Sequence, residues 1–586
     1  MIKCKLIPFE RGNHYIVGNI KNKNFLKDLW YLTKRYWRSE EKYRATLLLI
    51  AIIVLSLGQV YALVVLNKWY NTFYSSLQEY NNAAIIKGLE EFCIIAACYV
   101  AINVYSYYLQ KVLQMRWRTW MTREYIKDWL TARTYYLLQV FEKDTDNPDQ
   151  RISDDIRMFV ESTLTLVLGF IKNFVLFVSF VGILWGLSGS LSLGFIGLDI
   201  SVPGYMVWVT LLYAAIGTWL TDRTGRVLGK LNFDQQMFEA DFRYSMIRLR
   251  ENSENVAFYK GEQFEGRYFT KKFTTLIDNL WKIVRKQKQV IALTATYSQV
   301  SVIVPLALSI PKYLTREINL GGLMQVTSAF GRVQDALSFF VDAYVTIAEW
   351  SAVVKRLTDF DKHMKTVKEE YKQEQKSFLD GEADSLEVKD LTIKLPDGKV
   401  LLEGLTAQFT PASKCLVKGP SGTGKSTLLR TLSGLWPYTE GEISYPKGGK
   451  MFLPQRSYLP LGSLRDVLLY PGTIQISDEK MKEVLELCKL GFLAGSLDRE
   501  EDWSTIFSLG EQQRIAFVRA ILYQPKWLFL DEATSAMDES LEADMYNLLS
   551  EKLPDAAIIS VGHRSTLNHF HDKQLRLLGQ GKWEII

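Results

Sequence analysis

Cysteine and histidine are scarce, five of each among 586 residues. Cys4, Cys93, Cys98, Cys415 and Cys488 are odd in number and scattered, with no C-x-x-C. That excludes a disulfide framework and a zinc ribbon, and reduced, mostly buried thiols are expected. The histidines show no metal-ligand spacing. Residues 1–43 lack the apolar stretch of a cleaved secretory signal, so the first apolar span should remain as an anchor. A large excess of one charge is also missing. Lys and Arg total 70 against 64 acidic residues, a net +6 that argues for no nucleic-acid partner.

What is present divides the chain in two. Residues 45 to about 350 hold most of the long apolar runs, whereas 384–586 have the mixed composition of a soluble domain. Six spans, at roughly 45–66, 92–112, 163–187, 203–220, 290–311 and 321–348, approach the length a bilayer core requires. Several contain Gly, Ser, Thr or a charge, as the helices of a packed bundle do. Loop 113–161 carries Arg116, Arg118, Arg123, Lys127, Arg133, Lys143, Arg151 and Arg157, and loop 221–289 is as basic. Loop 188–202 has no Lys or Arg. Positive charge is retained on the cytoplasmic side, so both termini and both long loops are expected there. The two loops lack strand-like runs, so their spans should continue as helices beyond the bilayer.

The expected domains are a cytoplasmic segment 1–44, a membrane domain 45–354, a linker 355–383 and a soluble domain 384–586. In the first segment Trp30, Tyr31, Tyr36 and Trp37 lie among basic residues, the pattern of a helix at lipid headgroups or of a charged tail. The sixth span carries Arg332, Asp335, Asp342 and Glu349. Its acidic residues recur every seven positions and share a face. They either line a polar path or are satisfied locally, Asp335 by Arg332 and Glu349 by water. Lys172 in the third span could pair across helices.

The soluble domain is organised around Gly419-Pro420-Ser421-Gly422-Thr423-Gly424-Lys425-Ser426-Thr427, a G-x-x-x-x-G-K-S loop. Its glycines let successive N–H groups converge on one anion. Lys425 can reach the β- and γ-phosphates of ATP, and Ser426 can ligate Mg²⁺. The apolar stretch Lys414–Lys418 before it reads as a strand, and the residues after it as a helix whose N-terminus favours phosphate. Downstream, Lys526 to Leu530 reads as a buried strand ending in Asp531 and Glu532. Asp531 can hold Mg²⁺ through water, and Glu532 can polarise the attacking water.

Between these lies Phe507-Ser508-Leu509-Gly510-Glu511-Gln512-Gln513-Arg514, which resembles the signature of ABC-transporter ATPases, usually L-S-G-G-Q followed by Q-R. Leu509 and Glu511 depart from it. A plain capping box at a helix start is the other reading of this stretch. The resemblance implies that Ser508, Gly510 and Glu511 face a γ-phosphate held by a second subunit. Gln455 in Phe452-Leu453-Pro454-Gln455 resembles the Q-loop, which joins the Mg²⁺ site to the membrane domain. Ser535-Ala536-Met537-Asp538 resembles the D-loop, and His563 after Ala557–Val561 the switch histidine. Leu395 stands where an adenine-stacking aromatic is usual.

Asn147 to Ile152, Glu254 to Gly261, Leu435-Trp436-Pro437, Leu453 to Gly462 and Asp502-Trp503 together are similar to the SbmA/BacA-like fused permease–ATPases of the YddA type. They are similar also to the peroxisomal acyl-CoA half transporters. The resemblance implies an α-helical six-transmembrane exporter-type domain followed by an α/β P-loop ATPase domain. In that family the segment around Glu254–Gly261 docks on the ATPase. It further implies a homodimer in a bacterial inner membrane, among lipids, using ATP and Mg²⁺ to move a substrate. Peptides, cobalamin-like or other bulky hydrophilic solutes come first as cargo, then fatty acyl-CoA or lipid. A membrane-tethered regulatory ATPase that moves nothing is the alternative of a different class.

Overall fold

The computed structural model describes residues 25–141, 147–192, 201–374, 378–446, 448–472 and 475–586. The part of the expected N-terminal segment before residue 25 lies outside them. The chain forms two compact units, Met1–Thr131 with Asp144–His363, and Ala132–Lys143 with Met364–Ile586.

The first unit is helical. Helix α1 (Phe25–Trp37) is followed by α2 (Lys42–Gln78) and α3 (Asn82–Leu130). Asn81 caps α3, its side chain accepting from the Ala84 N–H. The unit continues with α5 (Ile156–Ser188), α6 (Tyr205–Glu251), α7 (Ser253–Phe258), α8 (Glu262–Leu314) and α9 (Leu320–Glu374), whose residues from Met364 on belong to the second unit, and α4 is described with the second unit. The six expected spans fall one each in α2, α3, α5, α6, α8 and α9. Among the described residues three helical stretches, Lys42–Gln78, Pro148–Ser188 and Glu262–Leu314, are long and apolar enough to cross a membrane. The loop expected without Lys or Arg contains a short hairpin of β1 (Ser190–Ser192) with β2 (Ser201–Pro203).

Polar groups of this unit are paired inside it. Asn67 donates to the Gln325 backbone carbonyl at 3.0 Å and accepts from the Gln325 side chain at 3.1 Å. Asn71 donates to Gln325 Oε1 at 2.7 Å. A Cβ on Gly321 would lie 2.0 Å from the Asn71 carbonyl, so α2 and α9 meet backbone to backbone there. Helix α1 is packed on one face and open on the other. Tyr36 stacks on Trp117 at 5.2 Å, and Arg35 bridges Asp128 and buried Asp361, while Leu26 and Trp30 stay exposed. Asp335 lies beside Arg332 at 3.5 Å, the local pairing weighed above. Glu349 is exposed, and the side chain of Asp342 lies outside the described residues.

Among the described residues the second unit contains two larger sheets and a two-stranded pair of β9 (Gly462–Ser463) with β10 (Glu500–Glu501). One runs in the order β14-β13-β6-β12-β11-β8, from β6 (Lys414–Lys418), β8 (Lys450–Leu453), β11 (Trp527–Asp531), β12 (Ala557–Val561), β13 (Lys573–Gly579) and β14 (Lys582–Ile585). Its pairs are parallel except β13 with β14. Strands buried on both faces read as continuous apolar runs, and β11 shows why. Leu528 and Leu530 enter one core, whereas Trp527 and Phe529 enter the other. Each such buried side chain contributes roughly 1.5–3 kcal/mol. The other sheet runs β3-β7-β4-β5, from β3 (Phe378–Ala383), β4 (Leu386–Lys394), β5 (Val400–Phe409) and β7 (Thr439–Pro446).

Helix α9 continues to Glu374, and β3 pairs in parallel with β7, so sheet structure begins inside the stretch 355–383 expected as linker. A short helix, α4 (Thr134–Phe141), comes from the first long loop yet belongs to the second unit. There Arg133 donates to the carbonyls of Ser433 and Gly434, and Phe141 meets Tyr438 at 5.6 Å.

Candidate active site

The 419–427 loop connects β6 to α10 (Lys425–Leu432). Close approach dictates Gly419, where a Cβ would lie 2.4 Å from the Leu577 carbonyl, and a φ of +96° dictates Gly424. Thr423 Oγ1 donates to the Pro420 carbonyl at 2.9 Å and closes the curl. Ser421 and Gly422 form its crest, with Gly422 at φ +82°. The Thr427 carbonyl accepts from Thr431 Oγ1 within α10. Lys425 is held inside the loop, donating to the carbonyls of Gly419 and Pro420 at 2.8 and 2.9 Å. Burial lowers its pKa, and the charges of Glu532 and Asp531 oppose that.

Ser426 Oγ donates to Asp531 Oδ1 at 2.9 Å. Strand β11 thus delivers its terminal carboxylate to the first helical turn after the loop. Burial raises the Asp531 pKa, the Ser426 hydrogen bond works against this, and the neighbouring Glu532 charge adds to it. Two hard oxygen donors side by side fit Mg²⁺, which keeps waters and leans on substrate phosphates for its remaining ligands.

Glu532 has φ +48°, a left-handed backbone unusual outside glycine, and its N–H is held by the Val561 carbonyl at 3.1 Å. Its carboxylate is gripped from two sides. Gln455 Nε2 donates to Oε2 at 2.9 Å, and His563 Nε2 lies 3.2 Å from Oε1. The expected base, Q-loop glutamine and switch histidine therefore meet, though they are distant in sequence. Of the three residues expected at the metal, only Ser426 and Asp531 touch each other, and the Gln455 amide is spent on Glu532.

Helix α13 (Leu509–Tyr523) begins at Ser508, whose Oγ accepts from the Glu511 N–H while the Glu511 carboxylate accepts from the Ser508 N–H at 2.9 Å. The capping box weighed against the signature reading is present. Among the described residues no hydrogen bond or ion pair joins Ser508, Gly510 or Glu511 to the 419–427 loop. Sequence reasoning gave no role to two buried residues here, Gln513 and Glu542. The Glu542 carboxylate accepts from Thr534 and Thr566 and faces Arg564. The Gln-Arg pair after the signature was the available signal for Gln513. Of the described thiols, Cys93 and Cys98 are exposed, and Cys415 and Cys488 are buried.

Two family models match the chain: "ABC transporter transmembrane region 2" over residues 32–314 and "ABC transporter" over 402–535. The Escherichia coli "Inner membrane ABC transporter ATP-binding protein YddA" is 34% identical over 535 residues, 91% of this chain and 94% of that protein. The human "Lysosomal cobalamin transporter ABCD4" is 27% identical over 542 residues, 86% of this chain and 87% of that protein. A solved structure of a bacterial Atm1-family ABC exporter with ATP bound matches with TM-score 0.68 at 16% identity, covering 93% of this chain and 94% of that one.

Proposed function

Because the chain belongs to the ABC transporters, being 34% identical to one over 91% of its length, we propose that two copies form a homodimeric half transporter that moves a bulky hydrophilic solute across a bacterial inner membrane. ATP hydrolysis coupled to transport is the activity of the family. The observation that carries the reading is the gripped carboxylate of Glu532 beside the Lys425 loop and the Ser426–Asp531 pair.

In this reading Lys425 and the N–H groups of residues 419–427 bind the β- and γ-phosphates, and α10 adds its N-terminal dipole. Ser426 and Asp531 would hold Mg²⁺, which neutralises charge building on the phosphates. Glu532 orients water and accepts its proton, while Gln455 and His563 fix the carboxylate. Ser508 and Gly510, at a helix N-terminus, contact the γ-phosphate of the other copy, with Glu511 as their cap. The chain crosses the membrane six times with both termini cytoplasmic, supported by the basic loops. Helix α4, a piece of the first loop seated on the ATPase unit, carries its movement toward the helices. The exposed Phe258 and Tyr259, in the second loop, are free to dock on the partner's ATPase.

The cobalamin of the human relative's name and the peptides expected of the bacterial type head the cargo candidates, followed by acyl-CoA and lipid. Turnover and flux in proteoliposomes of known orientation test the reading. ATP-dependent flux of one cargo, with faster hydrolysis in its presence, is expected. Hydrolysis that no cargo alters, without flux, would favour a tethered regulatory ATPase.

A further inference from the structure

Gln513 lies one turn into α13 and is 3% exposed. A primary amide offers two N–H donors and one carbonyl acceptor, and here all are engaged with backbone or hydroxyl groups of three other motifs. Nε2 donates to the Gln455 carbonyl at 3.1 Å and to Ser535 Oγ at 3.0 Å, with the Glu532 carbonyl at 3.4 Å as a longer third contact. Oε1 accepts from the Ala536 N–H at 2.9 Å. That last bond fixes the amide orientation, since an N–H must meet oxygen. Gly510, one turn earlier, presses on the same segment, and a Cβ there would lie 3.1 Å from the Ala536 carbonyl. The first turns of α13 thus rest on residues 532–536, and Gln513 is the side chain that ties them.

The bonded positions are not arbitrary. Gln455 and Glu532 are two of the three residues whose side chains meet at the reaction centre, His563 being the third, and Gln513 bonds to the backbone carbonyls of both. Glu532 carries a positive φ, and a left-handed non-glycine residue persists only where its surroundings over-determine it. Its N–H is fixed by Val561, and its carbonyl accepts from the Ser535 N–H at 3.0 Å with Gln513 Nε2 as a longer second contact at 3.4 Å. Among the described residues no hydrogen bond joins Gln513 to the 419–427 loop.

We propose that Gln513 is a positioning residue that sets Glu532 and Gln455 for hydrolysis and links both to the start of α13, so that engagement of Ser508 and Gly510 is felt at the reaction centre of the same chain. The inference rests on the reading of Glu532 as the water-orienting base. Gln513 should therefore govern the rate of hydrolysis and not the affinity for nucleotide.

The test uses the full-length protein in nanodiscs. Gln513→Leu keeps the volume and removes every bond. Gln513→Glu keeps an acceptor for Ala536 and loses the donors facing Gln455. ATP turnover, equilibrium ATP affinity and the thermal midpoint are measured for each. A fall in kcat of tenfold or more, with ATP affinity within threefold and the midpoint little changed, is expected for at least Gln513→Leu. The double variant Gln513→Leu/Gln455→Ala should be no slower than the slower single variant, because both act on one element. Turnover within twofold of wild type, a parallel loss of affinity and midpoint, or multiplying effects in the double variant would each overturn the proposal. Glu532→Gln, measured alongside, separates the two readings. If it retains turnover, the base is misassigned. If it is inactive while Gln513→Leu is not, only the positioning role fails.

Discussion

Leu528, Phe529 and Leu530 of the ATPase unit are no more than 1% exposed, whereas Val54, Ile94 and Leu212 of the helical unit are 60 to 64% exposed. Both units bury polar side chains, Glu542 at 1% and Gln513 at 3% in the ATPase unit. In the helical unit the buried residues include Asn67 at 1% and Gln325 at 7%. The two units answer to different solvents. Water drives apolar side chains inward, and in lipid apolar surface is indifferent, so helices associate through close packing and interhelical hydrogen bonds. The chemistry follows the same division. The ATPase unit assembles its site by hydrogen bonds around a rigid parallel sheet. The helical unit uses its hydrogen bonds to join α2 to α9 where their backbones meet.

The largest effect expected from a single change is at the sheet end. Glu532→Gln should lower ATP turnover by roughly 10²–10⁴-fold, the usual worth of a positioned base, while ATP affinity is kept. Turnover near the wild-type rate would remove Glu532 from its role. In the helical unit Asn67→Leu should cost about 1 kcal/mol by leaving the Gln325 groups unpaired, and Val54→Leu on the exposed face less than about 0.5 kcal/mol. Thermal unfolding in a fixed detergent compares them, and equal costs would break the contrast between the units.

A subtler effect concerns pH. The folded pKa of Asp531 is raised, chiefly by burial, so the protonated form favours the folded state. That contribution is whole below the ordinary Asp range, roughly 3.9, and is lost as pH rises through the raised value. Without nucleotide, Asp531→Asn should be at least as stable as wild type at neutral pH, with the gap closing as pH falls, while losing hydrolysis. A lower midpoint at neutral pH would show that the carboxylate is stabilising. A small effect is also expected from Asp335→Asn. Its partly exposed pair with Arg332 is worth at most about 1 kcal/mol, and basal turnover should not change. Altered flux of cationic cargo alone would restore a role in the transport path.

Much of the site was legible because it is local. The glycine spacing at 419–424 announces the loop, and the apolar runs Lys414–Lys418 and Ala557–Val561 became β6 and β12 with those bounds. Glu532 was legible at its strand end and Gln455 and His563 through family resemblance, but no local pattern says that the three side chains meet. What stayed hidden depends on partners distant in sequence. Phe378–Ala383 carries no strong strand pattern and becomes β3 because β7 offers it an edge. Thr134–Phe141 looks like more loop helix until Ser433, Gly434 and Tyr438 are beside it. Trp30, Tyr31, Tyr36 and Trp37 among basic residues suggested a helix at lipid headgroups or a charged tail, but the pattern could not say that α3 covers Tyr36 through Trp117. Gln513 follows the signature as one glutamine of two, and only the fold shows that it is the one turned inward.

The central claim is that each reaction centre is shared between two copies, with the Lys425 loop of one facing Ser508 of the other. Mixing tests it most directly. Lys425→Ala and Ser508→Arg chains, differently tagged, are co-expressed, and the heterodimer is isolated through both tags. Each parent homodimer should be nearly inactive. The heterodimer holds one intact site and one doubly damaged site, so its ATP turnover should rise well above both parents. Turnover no higher than either parent would contradict a site completed in trans.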